Sequence, residues 1–201
     1  MPETTARECI RTGLFIGGEE RWTAETLPVG DPGRSGEIVG RAASASKEDV
    51  ADAVAAATAA FPLWAALSPQ DRARLISESV VVSQVDRSED ARILSRENGK
   101  ILSESLRDTS MLERRTRQTT ALSDEIDRCW ILPVAPGIPV TTEVAYQPLG
   151  VVTIIVPFNW PIGILSSALP HALLAGNTAI VKPPPSAPLA TTRLVQRVAE
   201  K

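Results

Sequence analysis

Cysteine is scarce in this chain, basic residues hold no majority, and no long hydrophobic run occurs. Each absence excludes a class of protein. Two cysteines in 201 residues, Cys9 and Cys129, cannot form a disulfide framework, and no CxxC or Cys/His cluster has zinc-ligand spacing. The 21 Lys+Arg stand against 24 Asp+Glu, a formal charge of −3, and Arg114, Arg115 and Arg117 are offset by nearby acids. That balance does not suit nucleic-acid binding. Met1–Ile10 carries Glu3, Arg7 and Glu8 and has no apolar centre, so no secretory signal is read there. No stretch reaches the ~18–20 consecutive apolar residues of a spanning helix. The richest one, after Gly150, is broken by Pro157, Asn159 and Pro161. A reduced, cytoplasmic globular protein remains, and its 43% hydrophobic residues can bury a core.

The opening reads as short strands. Phe15–Gly30 has apolar pieces between Gly17-Gly18, Pro28 and Gly30, and Asp31–Gly36 is a turn cluster before a strand at Glu37–Ala42. A small antiparallel meander is expected. Ser46 with Asp49 three residues on is a capping box, which starts a helix running to about Trp64. Val50, Val54, Ala57 and Phe61 fall on one face of it and are expected to be buried. Ser68-Pro69-Gln70-Asp71 starts a second helix with proline at its first position, supported by Leu75, Val82 and Val85 and ending before Ser88. A third helix is expected over Ser88–Asn98, stopped by Gly99, and a fourth from Ser103 to about Ile126. Trp130–Gly150 is proline-rich and then alternates, which predicts extended strands leaving the helical layer as a hairpin or arm.

Gly150–Lys201 is the informative segment. Val151–Val156 is a near-continuous apolar run, as expected of a strand buried on both faces. A buried helix follows over Ile162–Ala175, closed by Gly176-Asn177. Thr178–Val181 is a second buried strand, and Ser186 is expected to cap a last helix. Strand, helix, strand, helix is a βαβ unit with a parallel pair. Asn159 and Lys182 each follow a strand's carboxyl end, so the topology places an amide and a cation on one sheet edge, where open α/β sheets bind ligands. Spacing alone serves equally a helix-capping Asn159 and a merely solvated Lys182.

The runs Gly150-Val151-Val152…Ile155-Val156-Pro157-Phe158-Asn159-Trp160-Pro161 and Ala175-Gly176-Asn177-Thr178-Ala179-Ile180-Val181-Lys182-Pro183 together resemble the aldehyde dehydrogenase superfamily. Ile16-Gly17-Gly18, Asp31-Pro32…Gly36-Glu37, Ala53-Val54…Trp64 and Glu97-Asn98-Gly99-Lys100 extend the resemblance from about Leu14 onward. The implied fold class is α/β, the N-terminal part of that fold: a small β meander, a helical layer, a β-arm and the start of a Rossmann-like parallel sheet. Three parts are expected: strands and helices over residues 1–129, an oligomerisation-type arm over 130–149, and the first βαβα of an NAD(P)-binding domain over 150–201.

The resemblance implies oxidation of an aldehyde to a carboxylic acid with NAD or NADP. It places Asn159 as catalytic donor to the thiohemiacetal oxyanion and Lys182 on the adenosine ribose, with Ile155, Val156, Pro157 and Phe158 lining the cofactor pocket. Pro185 stands where a ribose-binding glutamate is common, so preference is expected to be relaxed or tilted towards NADP. Phe158 stands where tryptophan is frequent. The family's catalytic cysteine, general-base glutamate and glycine-rich turn have no counterpart in these residues. Cys9, Cys129 and His171 read as packing or surface residues, and neither Glu97 nor Glu143 is paired with a nucleophile. These 201 residues alone are therefore expected to be inactive. The expected partners are a small aldehyde and, when complete, copies of the same chain, with no nucleic acid, membrane or metal. The alternative is a non-catalytic cofactor-binding or assembly module of the same family.

Overall fold

The computed structural model describes residues 9–81, 84–126, 128–134 and 140–200. The chain opens with β1 (Ile10–Thr12), β2 (Leu14–Ile16), β3 (Glu19–Arg21), β4 (Thr26–Gly30) and β5 (Ile38–Ala43). The expected antiparallel pairings are present, β2 with β3 and β4 with β5, although they lie in two separate sheets. Upstream of the expected strands, β1 lies parallel to β5. Gly40 permits that approach, since a Cβ there would stand 2.4 Å from the Ile10 carbonyl oxygen and 2.8 Å from Leu189 Cδ1.

The helical layer begins with α1 (Lys47–Ala65). Its capping box forms as expected: Ser46 Oγ accepts the Asp49 N–H at 3.1 Å and the Asp49 carboxylate accepts the Ser46 N–H at 2.8 Å. The expected buried face forms only in part, with Ala57 and Phe61 half-buried. Val50 and Val54 are 55% and 45% exposed, and Ala53, Ala56 and Ala57 are better covered than either. Small side chains allow the close docking seen where Thr178 Oγ1 donates to the Ala57 carbonyl at 2.9 Å. Then come α2 (Pro69–Ser79), capped by Ser68, and α3 (Gln84–Asn98). The second helix thus stops earlier than expected and the third starts earlier. Val80 enters the core, Val82 lies outside the described residues, and Val85 is exposed. The expected fourth helix divides into α4 (Leu102–Thr120) and α5 (Ser123–Ile126), separated by a turn in which the Leu122 N–H reaches the Thr119 carbonyl.

An antiparallel pair, β6 (Trp130–Leu132) with β7 (Thr142–Val144), is exposed along its whole length. Part of the expected arm, residues 135–139, lies outside the described residues. The βαβα segment follows as β8 (Val151–Ile155), α6 (Pro161–Leu174), β9 (Thr178–Lys182) and α7 (Leu189–Ala199). The strands are parallel, in register from Val151 opposite Thr178 to Ile155 opposite Lys182. Gly176, at φ 89°, ends α6: its N–H reaches the Leu173 carbonyl and the Asn177 N–H reaches that of Ala172. Ile154, Val156, Leu165 and Leu169 form the core between strands and α6. Burial on both faces is not found. Thr153 and Ile155 are exposed because the Ala57 contact of α1 falls at Thr178, at the opposite end of the strand pair.

Helix α7 starts at Leu189 rather than after Ser186, and no side chain of its own caps it. The buried Glu97 carboxylate of α3 does so instead, accepting the N–H groups of Leu189 and Ala190 at 2.7 and 2.9 Å. Along the same interface the fully buried Asp90 accepts from Arg193 at 3.3 Å and from Arg197. Burial pushes the Glu97 carboxyl up to about 7, overcoming the two N–H donors that favour its charged form. An unfolded chain would release that proton near the ordinary 4.5, so between those values only the folded state retains it. The contribution of Glu97 to folding stability therefore falls as pH rises from about 4.5 to about 7 and levels off above. Urea midpoints across this window measure the slope, and Glu97→Gln should flatten it. An unchanged slope in that variant would assign the effect elsewhere.

Candidate functional site

Parallel pairing puts the carboxyl ends of β8 and β9 side by side, joined past the last strand residue by the Val156 N–H to the Lys182 carbonyl at 3.2 Å. Pro157–Trp160 leaves one strand and Pro183–Ser186 the other, so Asn159 and Lys182 share this edge. Among the described residues the Asn159 side chain makes no hydrogen bond, and it is exposed. Trp160, not Asn159, occupies the N-cap of α6. The amide is therefore not committed to capping. The exposed Lys182 ammonium reaches only the Pro183 carbonyl, at 3.2 Å, among the described residues.

Apolar surface flanks the two polar groups. Ile155 and Phe158 are 69% and 60% exposed, and Pro157 and Pro185 are open as well. Val156, by contrast, turns into the core and offers this edge only backbone. A groove of about 380 Å³ is lined by Phe158, Pro185 and Ser186 together with Pro28, Pro32 and Asn98.

The turn after β8 is held by residues that sequence reasoning did not single out for chemistry. Asn98 Nδ2 donates to the Phe158 carbonyl, and Lys100 Nζ donates to that of Asn159. Lys100 also pairs with Asp108 at 2.8 Å, and Asp108 Oδ1 accepts the Gly163 N–H. Burial raises the Asp108 carboxyl above its ordinary range although Lys100 pulls it down. Asp108 did carry a signal: it shares a helical stripe with Ser105, Leu112, Thr116 and Thr119, all buried, where a lone acid demands a partner.

The other titratable candidates lie elsewhere. His171 is exposed near the far end of α6, 3.3 Å from Thr119 Oγ1. Cys9 and Cys129 are free and exposed, the latter 3.8 Å from Glu143 of the arm. No group of three or more His, Cys, Asp or Glu among the described residues is placed to hold a metal. Among them, too, no helix is long and apolar enough to cross a membrane.

The sequence model of the Aldehyde dehydrogenase family matches residues 20–201. The chain belongs to that family. A 1-pyrroline-5-carboxylate dehydrogenase from Anoxybacillus flavithermus is 31% identical over 191 residues, 93% of this chain and 36% of the relative. Among solved structures, an NAD-dependent aldehyde dehydrogenase from Sinorhizobium meliloti superposes with TM-score 0.88 at 27% identity, over 99% of this chain and 40% of the other. A Thermus 1-pyrroline-5-carboxylate dehydrogenase with bound NAD gives TM-score 0.82 at 26% identity, over 96% and 37%. The chain thus spans somewhat over a third of the length of these aldehyde dehydrogenases. Its α/β fold, with β-arm and opening parallel pair, is theirs.

Proposed function

We propose that this chain supplies the cofactor-facing edge and one catalytic donor of an NAD(P)-dependent enzyme oxidising an aldehyde to a carboxylic acid. The uncommitted Asn159 amide on the same sheet edge as the open Lys182 ammonium carries this reading, because both lie within the stretch that matches the family. The donor set fits the adenosine half of a dinucleotide. It offers an exposed cation for ribose hydroxyls and an apolar shelf of Ile155, Pro157, Phe158 and Pro185, with Val156 contributing backbone. When bound, the nicotinamide cofactor supplies the hydride acceptor. Asn159 would donate its amide N–H to the oxygen on which negative charge develops as a thiolate adds to the aldehyde carbon. That thiolate would be a third one, since Cys9 precedes β1 and Cys129 stands against Glu143 of the arm.

The reading divides the chain into a packing unit over residues 1–129, an oligomerising arm over 130–149 and a cofactor unit over 150–201. It places a homo-oligomer in the cytoplasm, consistent with two free, exposed thiols. A second reading is a non-catalytic cofactor-binding or assembly module of the same family, in which the edge holds the dinucleotide without turnover. The 201 residues expressed alone then oxidise no aldehyde under either reading, and micromolar cofactor binding by them would favour the second.

The deciding experiment follows NAD(P)H formation by the full-length protein over an aldehyde panel. No reduction with any aldehyde would remove the enzymatic reading. The same assay measures cofactor choice. Position 182 is lysine and position 185 is proline, so no carboxylate there repels a 2′-phosphate. A charge-assisted hydrogen bond to that phosphate contributes ~1.5–3 kcal/mol. The expected kcat/KM ratio is balanced or favours NADP, and a strong NAD preference counts against it.

A further inference from the structure

The turn that carries Asn159 rests on a buried ion pair that takes no part in the proposed chemistry. Lys100, just past the end of α3, has a side chain 7% exposed, and the Asp108 side chain is 0% exposed. The ammonium has fixed partners: the Asp108 carboxylate at 2.8 Å, the Asn159 carbonyl, and the Trp160 ring with its centroid 4.4 Å away. Asn98 holds the neighbouring Phe158 carbonyl. Past the turn, Asp108 takes the Gly163 N–H while Arg115 donates to the Gly163 carbonyl at 2.8 Å. The backbone at residues 158, 159 and 163 is thus pinned by side chains from the end of α3 through α4.

At a wet surface such a lysine contact would exchange with solvent and hold little. Here little of the side chain reaches water, the charge is balanced by Asp108, and the aromatic face covers a further side of the cation. The Asn159 amide, with no side-chain partner among the described residues, takes its direction from its own backbone. A donor fixed on the Asn159 carbonyl orients the peptide plane that follows, and so restricts the torsions that aim the amide. We propose that Lys100 is a positioning residue for Asn159, locked by Asp108 so that the Asn159 amide points across the crevice. The inference rests on the reading of Asn159 as the oxyanion donor.

The test is a kinetic cycle in the full-length protein. Lys100→Met with Asp108→Asn removes both charges together and leaves no uncompensated buried ion. This paired variant, Asn159→Ala, and the combination of all three are compared with the parent. The paired variant should lose roughly 10- to 100-fold in kcat, the scale of a small misplacement of a catalytic group, with the cofactor KM little changed. In the Asn159→Ala background the same pair should cost almost nothing more, because the group being aimed is gone. Parental kcat in the paired variant, or an equal loss in both backgrounds, leaves Lys100 as support for the fold and overturns the proposal. Parental kcat in Asn159→Ala removes the donor reading and this one with it. Impaired Asn159→Ala beside a normal paired variant overturns the positioning role alone. Lys100→Arg, which keeps the charge opposite Asp108 but redirects its donors, gives a second readout should the paired variant fail to fold. Parental kcat in soluble Lys100→Arg would equally overturn the proposal.

Discussion

Asn159→Ala in the full-length protein is expected to lower kcat by roughly 10²–10³ while leaving the cofactor KM little changed. The amide is exposed, is not the α6 cap and makes no hydrogen bond among the described residues, so its removal disturbs no structural bond found there. On the proposed function the loss would fall on the transition state, where a carbonyl oxygen becomes an oxyanion and a fixed N–H donor gains strength. One such donor accounts for ~2.7–4 kcal/mol of barrier. Lys182 ends the other strand and is untouched, so cofactor affinity should hold. Steady-state kinetics with varied aldehyde and varied cofactor separate the two effects. A variant with near-parental turnover would sink the assignment.

Asp108→Ala should be the most damaging of the single stability changes considered, lowering unfolding free energy by ~3–5 kcal/mol. The side chain is fully buried and serves two groups at once, the Lys100 ammonium and the Gly163 N–H. Truncation strands a lysine that is itself only 7% exposed and leaves the Gly163 donor without its partner. Both penalties belong to removing one member of a buried pair; replacing the pair together costs far less. Asp108→Asn keeps an acceptor for Gly163 and should lose less than the alanine variant. Denaturant titration of the two variants measures the difference, and a loss below about 1 kcal/mol for Asp108→Ala would show that Lys100 finds solvent or another anion.

Local signals carried well where the partner lies nearby in the chain. Ser46 with Asp49, Ser68 with Pro69, and Gly176 with Asn177 mark helix ends through bonds spanning a few residues, and those ends stand where expected. Where the partner is distant, the same signals misled. Ser186 looked like the cap of the last helix, yet Glu97, about ninety residues earlier, takes both of its first free N–H groups. Val50 and Val54 are apolar residues of α1 that stay exposed, while Ala53, Ala56, Ala57, Phe61 and Trp64 form its better-covered side. Apolar character marks a residue that can be buried. Which stripe is buried depends on what can approach it.

The sequence by itself determined the β-then-α-then-βαβα progression, the parallel pair inferred from βαβ spacing, and hence the common edge for Asn159 and Lys182. Those follow from periodicity, breakers and the side-to-side geometry of parallel strands, none of which needs a distant contact. Only the tertiary structure decided that Asn159 is not a cap, that Val156 faces the core, and that Lys100 and Asp108 underlie the turn. Lys100 and Asn159 are 59 positions apart, and nothing in either neighbourhood encodes the other. The physical reason is solvent. A charge is driven to find a particular partner only once packing has removed water, and packing belongs to the folded chain as a whole.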